Sequence, residues 1–494
     1  MTAHDIQRLA DEHPRLTPIV APWMRGLLAD RSGLAAQFAR HGSPLNILAR
    51  EPFVENYRRY RELLDRHKLR HLVFFARKAN KCRDFVVAAS EQGLGVDTAS
   101  YRELEEALAL GCDPARLVVT AAMKDARLVE LAISRQVLIV VDNLDECRLV
   151  ERVAQAQGRI AEVGIRISGF RFGCERLYSR FGFALEEAVT LVAEQLGPGT
   201  HLPSLRYRGL QFHLNGYSRR QRAAALLQSI ACADALASKG VATRFIDIGG
   251  GFLVNYLREP SEWETFLRAL RAAAMGNRSP LTFQNDALGL VVIDGAIHGE
   301  PSVYPYFNER PKERFLDDVL SSQDDQGNSL AALLRSREIE LRMEPGRSLL
   351  DQAGLTIARI GFRKRDSRGD LLVGLEMNRS QLFSSSADFL LDPIMIHHGS
   401  PECNTADDTE SMRTNAPVAG YLVGGYCLEQ DLILKRKIAF NQVPQIGDWV
   451  CFPNTAGYMM HFFECESHLF ELAANIMVTP SIASKGAFRY QVDE

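Results

Sequence analysis

No stretch of this sequence approaches the roughly 18 consecutive apolar residues that a membrane-spanning helix requires, so no such span is expected. Positive charge is not in excess either. Lys and Arg number 58 against 61 Asp and Glu, a formal net charge of −3. Without a basic field, neither nucleic acid nor an anionic membrane is an expected partner. Cysteine is sparse, nine in 494 residues, and no C-x-x-C pair occurs. That argues against a zinc ribbon, a dithiol redox site or any metal centre built on paired thiols. An odd, irregular set of thiols suits a reducing cytoplasm. The opening residues, MTAHDIQRLADEHPR, mix both charges and lack an apolar core, so no secretory signal is expected. What is present is ordinary for a globular chain, with 46% hydrophobic and 24% charged residues. A single core rarely grows past about 250–300 residues, so two domains are expected.

Eight short apolar runs recur along the first two thirds of the chain. They are HLVFFA (71–76), LGVD (94–97), RLVVTAA (116–122), VLIVVD (137–142), EVGIRIS (162–168), LRYRGLQFHL (205–214), RFIDIGG (244–250) and IELRMEP (339–345). Runs rich in Val, Ile and Phe without alternation suit strands buried on both faces, as in a parallel sheet. Helical patterns separate most of them. Ser100 and Glu103 form a capping-box signature, Asp142-Asn143 opens a second helix that ends near Gly158, and a third follows Ser218 and stops at Gly240. Eight strands alternating with helices over about 300 residues fit a (β/α)8 barrel, the expected α/β fold class. Strand counting alone leaves a doubly wound open sheet as the other arrangement. Residues 277–338 interrupt the pattern with a hairpin-like LTFQNDALGLVVIDGAI and a polar SSQDDQGNS, and read as an insertion. Beyond about residue 354, LTIARIGFRKR, DLLVGLEM, DWVCFPN and HFFECES read as strands of a mostly β domain. The expected division is an N-terminal segment (1–50) associated with the β domain, a barrel (51–353) and the β domain (354–494).

Reactive groups of a barrel sit at the C-terminal ends of its strands. Lys78, Asp97, His213, Gly249-Gly250-Gly251 and Glu344-Pro-Gly346-Arg347 fall at five such ends. Each has an ordinary explanation. A strand-end lysine is usually a solvated charge, a histidine after an apolar run is usually core, and three glycines usually make a turn. Glycines between strand and helix also let backbone N–H groups approach a phosphate. Five coincidences at one mouth are harder to dismiss than one.

In order along the chain, FFARKAN, GVDTASYREL, GIRI, SRFGF, FHLNGYS, DIGGGF, MEPGRSLL, GGYCLEQD and AGYMM resemble the fold-type III decarboxylases that use pyridoxal 5′-phosphate (PLP). This is the group of diaminopimelate, ornithine and arginine decarboxylases, and the similarity spans roughly residues 45–480. The resemblance implies decarboxylation of an amino acid or its derivative. It implies Lys78 as the Schiff-base lysine and Glu344 as partner of the ring nitrogen, with His213 stacked on the ring. Gly249, Gly250, Gly251, Ser218, Gly346, Arg347 and Tyr458 would hold the phosphate, and Asp97 and Arg166 would steady the site. Cys427 is implied as a proton donor that enters the site of a second subunit in a head-to-tail homodimer. Arg379, Glu429 and Asp431 are the implied substrate contacts.

The sequence also departs from the pattern. Where relatives acting on basic amino acids have an acid after the cysteine, this chain has Leu428, and Glu429 follows one place later. An extended loop would turn Glu429 the other way. LNGYS after His213 is longer than usual, and Arg77 precedes the lysine where small residues are common. A site with Arg379 and no matched acid points to a carboxylate-bearing or modified substrate. Two other functions compete: a PLP-dependent racemase, and a non-catalytic homologue acting as a regulator. Glu344 and Cys427 favour decarboxylation over both.

Overall fold

Each of the eight apolar runs forms a strand: β1 (His71–Ala76), β2 (Gly95–Thr98), β3 (Leu117–Val119), β4 (Leu138–Val141), β5 (Ala161–Ser168), β6 (Leu205–Gln211), β7 (Phe245–Asp247) and β8 (Glu340–Met343). The structure is a computed structural model and describes residues 9, 11–383, 389–397, 417–481 and 486–493. Every strand pairs in parallel with the next, β5 pairs with β6, and β8 returns to β1. The sheet is therefore a closed barrel, which settles the choice against an open doubly wound sheet. Closure also explains the unbroken apolar runs of β1, β3 and β4, where one face meets the barrel interior and the other the helices; β5, β6 and β8 carry charged residues at alternate positions.

Local chemistry sets the helix ends. Ser100 accepts the Glu103 N–H at 3.2 Å and starts Tyr101–Ala109, while the Glu103 carboxylate reaches one residue further back, to the Ala99 N–H. Asn143 caps Leu144–Gln157, which stops at Gly158 with φ of +61°. Ser218 caps Arg219–Ser238. An aromatic trio inside the barrel unit, Phe53, Phe75 and Phe85, packs with ring centres 5.2–6.3 Å apart and anchors β1 against flanking helices.

Contacts divide the chain into two compact units. One is the barrel, Glu51–Leu253 with Arg310–Leu350. The other joins Met1–Arg50, Val254–Glu309 and Asp351–Glu494. The stretch expected as a single barrel insertion is thus split at Glu309, and its first part belongs with the β unit. There the side chains of Tyr256, Tyr304 and Tyr306 are buried together. The expected hairpin exists but is short: Val291–Ile293 pairs with Ala296–His298 around Asp294 and Gly295, both with positive φ.

The β unit is built on the long strand Gly354–Arg365. It pairs with Leu45–Leu48, Leu371–Leu375 and Trp449–Pro453. Leu45–Leu48 also pairs in parallel with Ala474–Pro480, so residues near both ends of the sequence share one sheet. Helices Pro22–Ala29 and Arg31–His41 pack Met24, Leu27, Leu34 and Phe38 onto its apolar face. HFFECES is not a strand, contrary to expectation. Its Cys465 instead contacts the side chains of Tyr426, Ser380 and Ser467, and Phe462 and Phe463 are partly exposed. No helix among the described residues is long and apolar enough to cross a membrane.

Candidate active site

Lys78 lies in a single 3-10 turn, Arg77–Ala79, directly after β1. Its Nζ donates to Asp97 Oδ2 at 3.0 Å, and Asp97 is buried in β2, whose register sets it beside Ala76. Thr120, just past β3, donates to the other oxygen of Asp97. The carboxylate is thus fixed on both sides and holds the amine at the barrel mouth. Arg77, the preceding residue, is ion-paired with Glu106.

Strand register gathers the remaining polar groups. Arg166 of β5 sits opposite Gln211 of β6, and Gln211 sits opposite Asp247 of β7. Arg166 lies 3.7 Å from Asp142 and 4.2 Å from the centre of the Phe181 ring. Gln211 Nε2 donates to Glu344 Oε1 at 3.1 Å. Asp247 is in hydrogen-bonding contact with Glu344 and accepts the Gly249 N–H at 2.9 Å. Burial, and then the neighbouring carboxyls of Asp247 and Asp97, push Glu344 well above the usual carboxylate range. Burial chiefly, with Asp97 adding to it, pushes Asp247 up to about 7. His213 moves the opposite way. Burial, then the charges of Lys78, Arg222 and Arg166, hold it well below 6.5, so the ring is neutral. Its Nδ1 accepts the Gly250 N–H at 3.2 Å, which fixes the plane of the imidazole.

The three glycines form a turn with no room for side chains. A Cβ at Gly249 would lie 2.7 Å from the Phe212 carbonyl oxygen, one at Gly250 2.5 Å from the Glu344 carbonyl oxygen, and one at Gly251 2.9 Å from Arg222 Nη2. Gly249 and Gly251 also have φ of +65° and +85°. Ser218 caps the adjoining helix by accepting the Gln221 N–H, which leaves its own proton to donate. Gly346 and the buried Arg347 follow β8 in a tight turn. An amine, a buried acid, a neutral flat ring and a bare backbone cradle fit PLP: its aldehyde, ring nitrogen, ring face and phosphate respectively.

The β unit carries the other expected residues. Cys427 is exposed in a loop held by Asp431. Asp431 is buried, and its two oxygens accept the N–H groups of Arg379 (2.9 Å) and Tyr426 (2.8 Å). Its carboxylate is thus used within the loop. Arg379 Nη1 donates to the Gln430 carbonyl. Tyr426 stacks on His468 and Phe470, and Leu428 and Glu429 face solvent. Tyr458 has a positive φ and packs edge-on against Phe462. Cys465 went unnoticed in the sequence; hydrogen bonds from Ser467 and Tyr426 pull its exposed thiol down to about 7. Asp247, Gln211, Thr120 and Arg222 were also missed. Only Asp247 carried a signal, as the acid that precedes the glycine turn.

Residues 50–285 match the family model described as the pyridoxal-dependent decarboxylase, pyridoxal binding domain. The protein y4yA of Sinorhizobium fredii is 30% identical over 467 residues, 94% of each chain. Diaminopimelate decarboxylase of Pseudomonas aeruginosa is 29% identical over 269 residues, 52% of this chain and 63% of that protein. Among solved structures, diaminopimelate decarboxylase of Helicobacter pylori complexed with L-lysine superposes with a TM-score of 0.66. It shares 17% identity over 93% of this chain and 95% of that one, a likeness of fold.

Proposed function

We propose, from the premise that this chain belongs to the fold-type III PLP-dependent decarboxylase family, that it removes the carboxylate of an amino acid or amino-acid derivative as carbon dioxide. The observation that carries this reading is that the Lys78 amine, held by Asp97, and the buried acid Glu344 meet at one barrel mouth, beside a glycine cradle. When bound, PLP supplies an aldehyde that captures an amine and a ring that takes up the electron pair left by departing carbon dioxide.

The chain's own residues do the rest. Lys78 holds the cofactor and moves protons at Nζ, with Asp97 positioning that nitrogen. Glu344 binds the ring nitrogen, and Gln211 and Asp247 orient its carboxyl. Glu344, raised by burial and by Asp247 and Asp97, would ionise once a cationic ring nitrogen lay beside it, and would hold that nitrogen as an ion pair. His213 offers a neutral face for stacking, where an imidazolium would repel the ring. Residues 249–251, Ser218, Gly346 and Arg347 bind the phosphate. Arg166 steadies the mouth through Asp142. Cys427 delivers the proton to the carbon that lost carbon dioxide, from a loop whose shape Asp431 fixes.

Cys427 does this for a second subunit in a homodimer. The exposed Leu428, Phe462, Phe463, Leu469 and Phe470 of the same unit support an assembly that covers them. The substrate carries an acidic or modified side chain, because Leu428 replaces the acid that would grip a distal ammonium, while Arg379 remains as a cationic contact. Eight cysteines of the described residues are free, which suits a cytoplasmic enzyme. The test is mass spectrometry of the purified, PLP-loaded protein with an amino-acid library. A product lighter by one carbon dioxide is expected. Loss of optical activity without gas release would make it a racemase, and no turnover with no PLP binding would make it a regulator. Lysine or diaminopimelate as best substrate would overturn the side-chain assignment.

A further inference from the structure

Arg222 lies in the first turns of helix Arg219–Ser238, in the run SRRQR, where a surface charge would be expected. It is instead fully buried, at 0% exposure. One guanidinium nitrogen, Nη1, donates to the Ile248 carbonyl oxygen at 2.7 Å. The other two, Nε and Nη2, have no hydrogen-bond partner among the described residues. No carboxylate of those residues forms an ion pair with it; its guanidinium carbon lies 5.4 and 5.9 Å from the ring centres of Phe252 and Phe315. Burial lowers its pKa only to about 10, so it remains a cation at neutral pH. A buried cation with two idle donors and no counter-charge is costly to a fold, and an anion that arrives with a ligand offsets that cost.

The direction of the idle donors says which ligand. Nη2 lies 2.9 Å from where a Cβ on Gly251 would be, and Gly251 has none. With no Cβ at Gly251, no side-chain atom of that residue stands between this buried nitrogen and the turn that the phosphate would occupy. A purely structural arginine, tying the helix to Ile248, accounts for one nitrogen of three.

We infer that Arg222 is a phosphate-binding residue, whose buried guanidinium supplies the counter-charge for the cofactor phosphate from beneath residues 249–251. This rests on the reading above that the barrel binds PLP. Arg347 then has a partner in neutralising the dianion, and the chain discriminates for the phosphorylated form of the cofactor.

The experiment compares full-length wild type, Arg222→Met and Arg222→Lys, each stripped of cofactor, by spectroscopic titration with PLP and with pyridoxal, which lacks the phosphate. Melting is followed with and without inorganic phosphate. Hydrogen bonds to a charged group predict that Arg222→Met weakens PLP by about 10- to 100-fold. Pyridoxal affinity stays unchanged, and Arg222→Lys recovers part of the loss. Phosphate raises the melting temperature of wild type and not that of Arg222→Met. Unchanged PLP affinity in Arg222→Met, or equal losses for PLP and pyridoxal, would overturn the assignment. If Arg222→Met does not fold, Arg222→Lys and phosphate protection of wild type decide the matter, and absence of protection overturns it. A wild type that binds pyridoxal and PLP equally overturns the role of Arg222 alone; one that binds neither overturns the cofactor reading as well.

Discussion

Asp247→Asn isolates the two buried carboxyls at the barrel mouth. In the cofactor-free protein, Asp247 is pushed from 3.8 to about 7 and Glu344 is raised in the same direction. The folded chain therefore holds these protons more tightly than the unfolded chain does. The pair costs nothing below about pH 4, where both states are protonated, and destabilises the fold progressively as pH rises through about 7. For Asp247 the displacement is linked to up to roughly 4 kcal/mol. Asparagine can still accept the Gly249 N–H through its side-chain oxygen, so the glycine turn survives. It also removes a negative neighbour from Glu344, which moves that carboxyl back toward its ordinary value. Urea unfolding of the apoprotein, stepped from about pH 4 to about pH 8, gives the stability difference between variant and wild type. That difference should grow with pH in favour of the variant. His213 titrates in both proteins and drops out of the comparison. Parallel curves, or a difference that shrinks with rising pH, would refute the shared burial of the two acids.

Cys427→Ala should leave PLP binding intact and lower kcat by about a hundredfold, the typical contribution of a positioned acid. Unchanged turnover and product purity would remove Cys427 from the chemistry. Gly250→Ala forces a Cβ to within 2.5 Å of the Glu344 carbonyl oxygen. It should cost about 1–3 kcal/mol of stability in thermal or urea unfolding and weaken PLP binding in the same variant. An unaffected variant would mean that the turn is looser than the structure shows.

The barrel was legible because strands buried on both faces leave continuous apolar runs, and all eight appear where those runs occur. The gathering of Lys78, Asp97, His213 and Glu344 at one end of the barrel was legible because they fall at the ends of such runs. The supporting residues were not. Gln211 closes an apolar run and is seen beside Glu344 only when β6 and β8 are set on either side of β7. Arg222 reads as one more charge in an arginine-rich helix start, because this alanine-rich helix has no apolar stripe to mark the face that is buried. HFFECES resembled a strand by its aromatics, but its polar residues bond to side chains nearby and join no ladder. The division at Glu309 was hidden because bonds that join Val254–Glu309 to the rest of its unit reach far along the sequence, from Ile19 to Tyr256 and from Leu390 to Tyr306.

The most direct measurement is borohydride reduction of the PLP-loaded protein, which fixes a lysine-bound cofactor as a stable secondary amine, followed by peptide mapping. The pyridoxyl mass should appear on the peptide containing Lys78, and Lys78→Ala should lose both the label and the visible absorption band. A label on another lysine, or a retained band and activity in Lys78→Ala, would contradict the account.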